Sequence, residues 1–245
     1  MDFNRLNAHT RDNIIEFDPD AHVYTLRGEV YDSVTTVVDG CFEKFDAEYW
    51  AARKATPDAP KEALLEKWER AGRLARDLGT LMHDRIERHY LGESLPPDVM
   101  SDPTFALFAE FARARRLRPY RTEWRIFHED SRIAGTLDFL AFDGERFSIY
   151  DWKRSTKVTD PEGRPVVRSS FGKTALPPLG HLPDTAYWHY ALQVSIYRYI
   201  LEQKYGIVVS DSFLGVFHPD RSRPHLVELP YLRDEVITLL QTRSR

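Results

Sequence analysis

One cysteine, Cys41, stands in the whole 245-residue chain. A single thiol excludes an internal disulfide framework and any four-cysteine zinc or iron–sulfur site. Long apolar runs are missing too: none approaches the ~18–20 residues needed to cross a bilayer. The opening Met1-Asp-Phe-Asn-Arg-Leu has no signal-peptide core. These absences lead us to expect an intracellular, reducing setting without membrane contact. Internal repeats and low-complexity tracts are also absent. So is a strong charge of one sign, since 34 basic against 38 acidic residues leave a net charge of −4. That balance neither supports nor excludes nucleic acid, because affinity follows local patches. With 42% hydrophobic and 29% charged residues, the composition suits a globular chain, one large α/β domain or two small ones.

What is present centres on residues 133–157. Apolar runs flank Asp143-Gly144, a dipeptide that favours tight turns, and predict antiparallel strands over about 133–142 and 146–153. The first strand carries Asp138, and the second ends Ile149-Tyr150-Asp151-Trp152-Lys153. Alternation puts Asp151 and Lys153 on the face that begins with Ile149. Pairing across the turn can bring Asp138 near Asp151. Two close carboxylates repel unless a cation sits between them, and hard divalent ions such as Mg²⁺ take oxygen ligands of this kind. A lysine two residues on can orient water or stabilise charge on a phosphate. By itself, Asp-x-Lys is very common and reads as an ordinary surface hairpin with a salt bridge; its company along the chain changes that.

The remaining chain supplies the surroundings. Residues 22–32 read as a hairpin turning at Arg27-Gly28, and Ser33 can cap a short helix. A second helix is expected over Asp46 to Ala55. Apolar residues from Leu64 to Ile86 recur at three- and four-residue spacing, which predicts a long helix over 61–91 ended by Gly92. In it, Gly79 permits close approach of another backbone, and His83 and Glu87 share a face. An amphipathic helix over Phe105–Leu117 ends in an arginine run, either a solvated end or a phosphate-contacting patch. A strand containing Glu123 spans 120–128. The Pro- and Gly-rich stretch 156–184 is either a loop that folds over substrate or a disordered insertion. A helix over 185–204 carries His189, Gln193 and Tyr197 on one stripe. A strand, a return strand and a closing helix follow.

In order along the chain stand Gly79-Thr-x-x-His83-x-x-Ile-Glu87, Gly135-Thr-Leu-Asp138, Asp151-Trp-Lys153 and Gln193-x-x-x-Tyr197. This ordered set resembles the PD-(D/E)XK nuclease superfamily, in its RecB-like exonuclease branch, which includes mitochondrial genome maintenance exonucleases and phage and viral relatives. The resemblance covers residues 61–218, and the hairpin with Ser33-Val34-Thr35 is similar to the mitochondrial-type group. Leu137 stands where the family's nominal motif has proline. The resemblance implies an α/β fold with a restriction-endonuclease-like αβββαβ core, a mixed central sheet flanked by helices. It implies one nuclease domain over 1–245, with 1–60 an N-terminal hairpin and helical extension, 61–218 the core, and 219–245 a C-terminal strand and helix. His83, Asp138, Asp151 and the carbonyl of Trp152 would bind Mg²⁺ or Mn²⁺. Lys153 would position the attacking water, and Gln193 and Tyr197 would fix Lys153, the loop and the DNA strand. Glu87 and Glu123 match acidic positions in some relatives. No iron–sulfur cluster is expected, since the cluster cysteines are absent. DNA, single-stranded or with free ends, is the implied partner, with replication or recombination proteins beside it, and the implied activity is that of an exonuclease or, as alternatives, a structure-specific endonuclease or a non-cleaving DNA-binding protein. Arg154, Lys157, Arg168 and Lys173 are candidates for phosphates, and Trp152, Phe171, Tyr187 and Trp188 for stacking on bases. On this reading Lys153→Ala abolishes cleavage and leaves folding nearly intact.

Overall fold

The computed structural model describes residues 2–19 and 21–243. The N-terminal part contains α1 (Phe3–Leu6), β1 (Ile15–Asp18), β2 (Val23–Leu26), β3 (Glu29–Ser33), α2 (Val34–Asp39) and α3 (Ala47–Lys54). Then come α4 (Lys61–Leu91), α5 (Pro103–Arg115), β4 (Pro119–His128), β5 (Ile133–Phe142) and β6 (Phe147–Lys153). The chain closes with α6 (Ala186–Ile200), a π-helical turn (Leu201–Tyr205), β7 (Val209–Val216), β8 (His225–Glu228) and α7 (Arg233–Arg243). From α4 to β7 the order is helix, three strands, helix, strand, with α5 added after the first helix. The α/β class is as expected: a mixed eight-stranded sheet flanked by helices.

The strands run β1-β2-β3-β5-β6-β7-β8, with β4 paired to β5. Two apolar clusters cover the two faces. Ile149, Leu214 and Val216 pack with Leu192 and Ile196 of α6. Tyr150, Trp152 and Phe217 pack with Met82 and Ile86 of α4 and Phe105, Phe108 and Phe111 of α5. Period-two alternation therefore holds along β6. It slips along β5, where Ile133 and Leu137 join the α6 side but Phe139 and Ala141 join the α4/α5 side. The slip falls at Asp138. No residue is inserted there, because Thr122 still faces Phe139 and Trp124 faces Leu137. Glu123 and Asp138 lie between those pairs, and Glu123 has a φ of 44°, the left-handed region that non-glycine residues rarely occupy.

β5 also marks a fork in the sheet. β4 fills one of its edges. On the other, β3 pairs only with Ile133 and Ala134, while β6 pairs with Phe139 to Phe142. Residues 135–138 are left without a strand neighbour on that edge. Carried one step further, the β5–β6 register sets Asp138 opposite Asp151.

Local signals explain most boundaries. The Ser33 hydroxyl accepts from Thr36 N at 3.0 Å and caps α2. The Asp46 carboxylate caps α3, and Gly92 ends α4 in the left-handed conformation. Four expectations need correction. β1 and α1 were not anticipated, since neither four-residue element has a pattern long enough to read. Ala71 and Ala75 are exposed and Leu64, Leu65, Trp68 and Leu78 only half-buried, so the inward stripe of α4 is fully buried only at Met82 and Ile86. A Cβ on Gly79 meets nothing within 4 Å, so no backbone approaches there. The stretch 156–184 is not a disordered insertion: Val158, Ala175, Leu179 and Leu182 are buried in the α6-side core, and Thr159↔Pro165 and Thr174↔Pro183 form bridges. Among the described residues, no helix is long and apolar enough to cross a membrane.

Candidate metal centre

Four elements meet at the fork: α4 brings His83, β4 brings Glu123, β5 brings Asp138, and the end of β6 brings Asp151, Trp152 and Lys153. His83 Nε2 lies 3.0 Å from the Trp152 carbonyl oxygen. A carbonyl only accepts, so Nε2 carries the proton and donates. That fixes the ring with Nδ1 toward the acids, 3.5 Å from Glu123 Oε1 and 3.6 Å from Asp138 Oδ2. Asp138 Oδ2 accepts from Trp152 N at 2.7 Å. One ligand atom each from His83, Glu123 and Asp138 lie within 4.8 Å of one another.

Asp151 is fully buried, and Lys153 Nζ sits 2.7 Å from its Oδ2. Lys153 serves Oδ2 alone; Oδ1 of Asp151 has no hydrogen-bond partner among the described residues. A buried carboxylate so poorly satisfied is costly unless a cation completes it. The donor set, carboxylate oxygens with one imidazole nitrogen, fits Mg²⁺ or Mn²⁺. Held this way, the groups shift their protons. Burial pushes the Asp151 carboxyl up to about 6, against the pull of Lys153. Burial likewise raises Asp138, opposed by His83 and Lys153. For His83, burial disfavours the charged ring, but Asp138 and Glu123 outweigh it and carry the imidazole up to about 9. Lys153 remains charged: burial opposes the ammonium, and Asp151 and Asp138 overcome it.

Several expected roles shift. The Trp152 carbonyl, expected as a metal ligand, accepts the His83 Nε2–H at 3.0 Å. Glu123 stands nearer the imidazole than expected, placed by its left-handed backbone, which no residue pattern announces. Glu87 is one turn further along α4 and accepts from Thr122 Oγ1 at 3.3 Å. Burial and neighbouring Glu123 raise its carboxyl. Gln193 Nε2 donates to Tyr197 Oη at 3.2 Å, and among the described residues neither hydrogen-bonds Lys153. The α6 side chain that meets Lys153 is Tyr190, whose ring centroid is 4.7 Å from Nζ. Its position three residues before Gln193 gives no motif by which to find it. Tyr197 instead packs under β5: a Cβ on Gly135 would lie 2.6 Å from Tyr197 Cε1, so only glycine fits there.

The candidates for substrate contact divide. Lys157 and Arg168 are exposed. Arg154 Nε donates to Thr104 Oγ1 at 3.2 Å, and Lys173 Nζ reaches Glu43 Oε2 at 3.0 Å. Trp152 and Tyr187 are buried and cannot stack on bases, because they fill the core on opposite faces of the sheet. Trp188 is half-buried, with Nε1 donating to Val167 O at 2.9 Å. Phe171 is the exposed aromatic of the loop, 85% accessible. His189 stacks on Phe42 with ring centroids 3.7 Å apart, and its Nε2 lies 2.8 Å from Asp184 Oδ1.

No family model matches the chain, and no curated protein matches it. Among solved structures it is similar to the crystal structure of SSO0001, with 14% identity and a TM-score of 0.34, over 86% of this chain and 73% of that one. A likeness at that score carries no inference about chemistry.

Proposed function

We propose that this chain is a divalent-metal-dependent DNA nuclease that hydrolyses phosphodiester bonds from the ends of single-stranded or frayed DNA. The observation that carries the reading is the buried Asp151–Lys153 pair beside the His83–Glu123–Asp138 group, at an open fork of the sheet. His83 Nδ1, Glu123 and Asp138 would hold the cation, with Asp151 next to them. When bound, such an ion supplies Lewis acidity to a phosphate oxygen and to water. Lys153 keeps its proton, so Nζ acts as a donor toward charge building on the phosphate and toward the attacking water. The Tyr190 ring and Asp151 hold that ammonium from two sides. The His83 Nε2–H to Trp152 O bond keeps Nδ1 aimed at the acids. Lys157 and Arg168 supply exposed charge for phosphates, and Phe171 a face for an unpaired base.

The test is digestion of end-labelled linear single-stranded DNA beside closed circular single-stranded DNA, with Mg²⁺, Mn²⁺ or EDTA. The linear substrate should shorten with either metal, the circle should survive, and EDTA should stop the reaction. Cutting of the circle would make the enzyme an endonuclease. No digestion of either DNA with either metal would remove the nuclease reading.

A further inference from the structure

The outer edge of β4 has no strand beside it among the described residues, yet its polar groups are met one after another. Residues 4–12 meet them. Asn4 Oδ1 accepts from Thr122 N at 2.9 Å, and Asn7 Nδ2 donates to Tyr120 O at 3.0 Å. Arg121 NH1 donates to Asn7 O at 2.8 Å and to Asp12 Oδ2 at 2.7 Å, and Trp124 Nε1 donates to Asp12 Oδ1 at 2.7 Å. The ties therefore fall on residues 120, 121, 122 and 124, on either side of Glu123. Glu123 is the one residue of β4 with a left-handed φ, 44°. A backbone in that region persists only when its neighbours over-determine it.

The amide of Asn4 also sets a proton. Thr122 N–H can only donate, so Oδ1 of Asn4 faces it, and Nδ2 therefore faces Thr122 Oγ1 at 3.0 Å. The hydroxyl accepts from Asn4 and must send its own proton elsewhere. It points to Glu87 Oε1 at 3.3 Å. One side chain from the N-terminal segment thus clamps the backbone beside Glu123 and directs a hydroxyl to Glu87.

We propose that Asn4 is a positioning residue for the cation site: the strap it forms across β4 holds Glu123 in the backbone conformation that brings its carboxylate to His83 and Asp138. The proposal rests on the cation site put forward above. Groups that orient metal ligands typically govern affinity by about 10–100-fold.

The test is Mn²⁺ calorimetry on the full chain, at a temperature well below the melting point of every variant. Four proteins are compared: unaltered, Asn4→Ala, Glu123→Gln, and both together. Asn4→Ala should weaken Mn²⁺ binding about 10-fold, and should have no further effect once Glu123 is already changed. Asn4→Asp keeps the acceptor for Thr122 N but takes the hydroxyl proton from Glu87; it should bind Mn²⁺ more tightly than Asn4→Ala. If Asn4→Ala binds Mn²⁺ as the unaltered chain does, or weakens it equally with and without Glu123, the strap only stabilises the fold and the proposal is overturned. If the unaltered chain binds no Mn²⁺, the cation site itself fails, a result distinct from failure of the strap.

Discussion

Replacing Lys153 by methionine isolates what the ammonium does, since methionine keeps much of the apolar stem and removes the charge. The partner is Asp151, whose side chain is 1% exposed, against 15% for Lys153. Breaking a buried pair by deleting one member costs about 3–5 kcal/mol, because the other charge is left uncompensated. In a chain of this length each kcal/mol lowers the melting temperature by about 2–4 °C. Lys153→Met in EDTA should therefore melt about 6–20 °C below the unaltered protein. Mn²⁺ should recover more of that loss than it adds to the unaltered chain, because a cation then supplies the missing charge. Asp151→Asn combined with Lys153→Met should melt above Lys153→Met alone in EDTA. Cleavage should fall about 10²–10³-fold, the scale of losing one well-placed donor. The assay is a thermal melt with and without Mn²⁺, read beside the digestion rate. A Lys153→Met protein that melts with the unaltered one in EDTA would refute the reasoning on the buried pair. Undiminished cleavage would refute the catalytic role. The buried pair thus argues against the expectation, drawn with the family resemblance, that loss of Lys153 leaves folding nearly intact.

Three further outcomes follow from the same geometry. Gly135→Ala drives a methyl to 2.6 Å from Tyr197 Cε1 in a full core, so it should cost about 1–3 kcal/mol in a denaturant melt and lower activity with it. For pH, the folded-state values of His83, up to about 9, and Asp151, up to about 6, lie above their ordinary ones. Their stabilising contributions are complete below about 6.5 and 3.8 respectively and are lost as pH rises through 9 and 6. The protein in EDTA should therefore lose the Asp151 share of its stability between about pH 4 and 6 and the His83 share between about pH 6.5 and 9, while the Mn²⁺-induced rise in melting temperature grows as the His83 proton leaves; a rise that shrinks with pH would contradict the ligand assignment. Lys157→Ala with Arg168→Ala should reduce the salt slope of single-stranded DNA binding by about 0.7 for each lost contact, measured by fluorescence anisotropy, and should leave the metal-free melt unchanged because both side chains are exposed.

Much of the sheet was legible because strand and turn chemistry is local. Asp143-Gly144 located the hairpin, its register set Asp138 opposite Asp151, and Ser33 and Gly92 marked helix ends. His83 was singled out by the Gly79-Thr-x-x-His83-x-x-Ile-Glu87 pattern and the family it resembles, not by its place on the helix alone. What was not legible depends on backbone irregularity or on distant chain. The slip of β5 at Asp138 and the left-handed φ of Glu123 arise where two strands distort together, and alternation assumes that they do not. Tyr190 reaches Lys153 from α6, which packs on the same face of the sheet, so no spacing along the chain reveals it. The long Pro- and Gly-rich stretch looked unstructured because its few apolar residues are not periodic, yet they are the ones that bury. The stripe of α4 misled in the opposite sense: its spacing is helical, but its first half is covered only in part, with Phe45 against Trp68 and Glu48 of α3 against Lys61, and Ala71 and Ala75 stay exposed.

The most direct measurement is anomalous diffraction from crystals of the protein soaked in Mn²⁺. A single strong peak is expected within bonding distance of His83 Nδ1, Glu123 and Asp138, next to Asp151. A peak elsewhere, or none with the protein folded and the ion in excess, would contradict the ligand assignment.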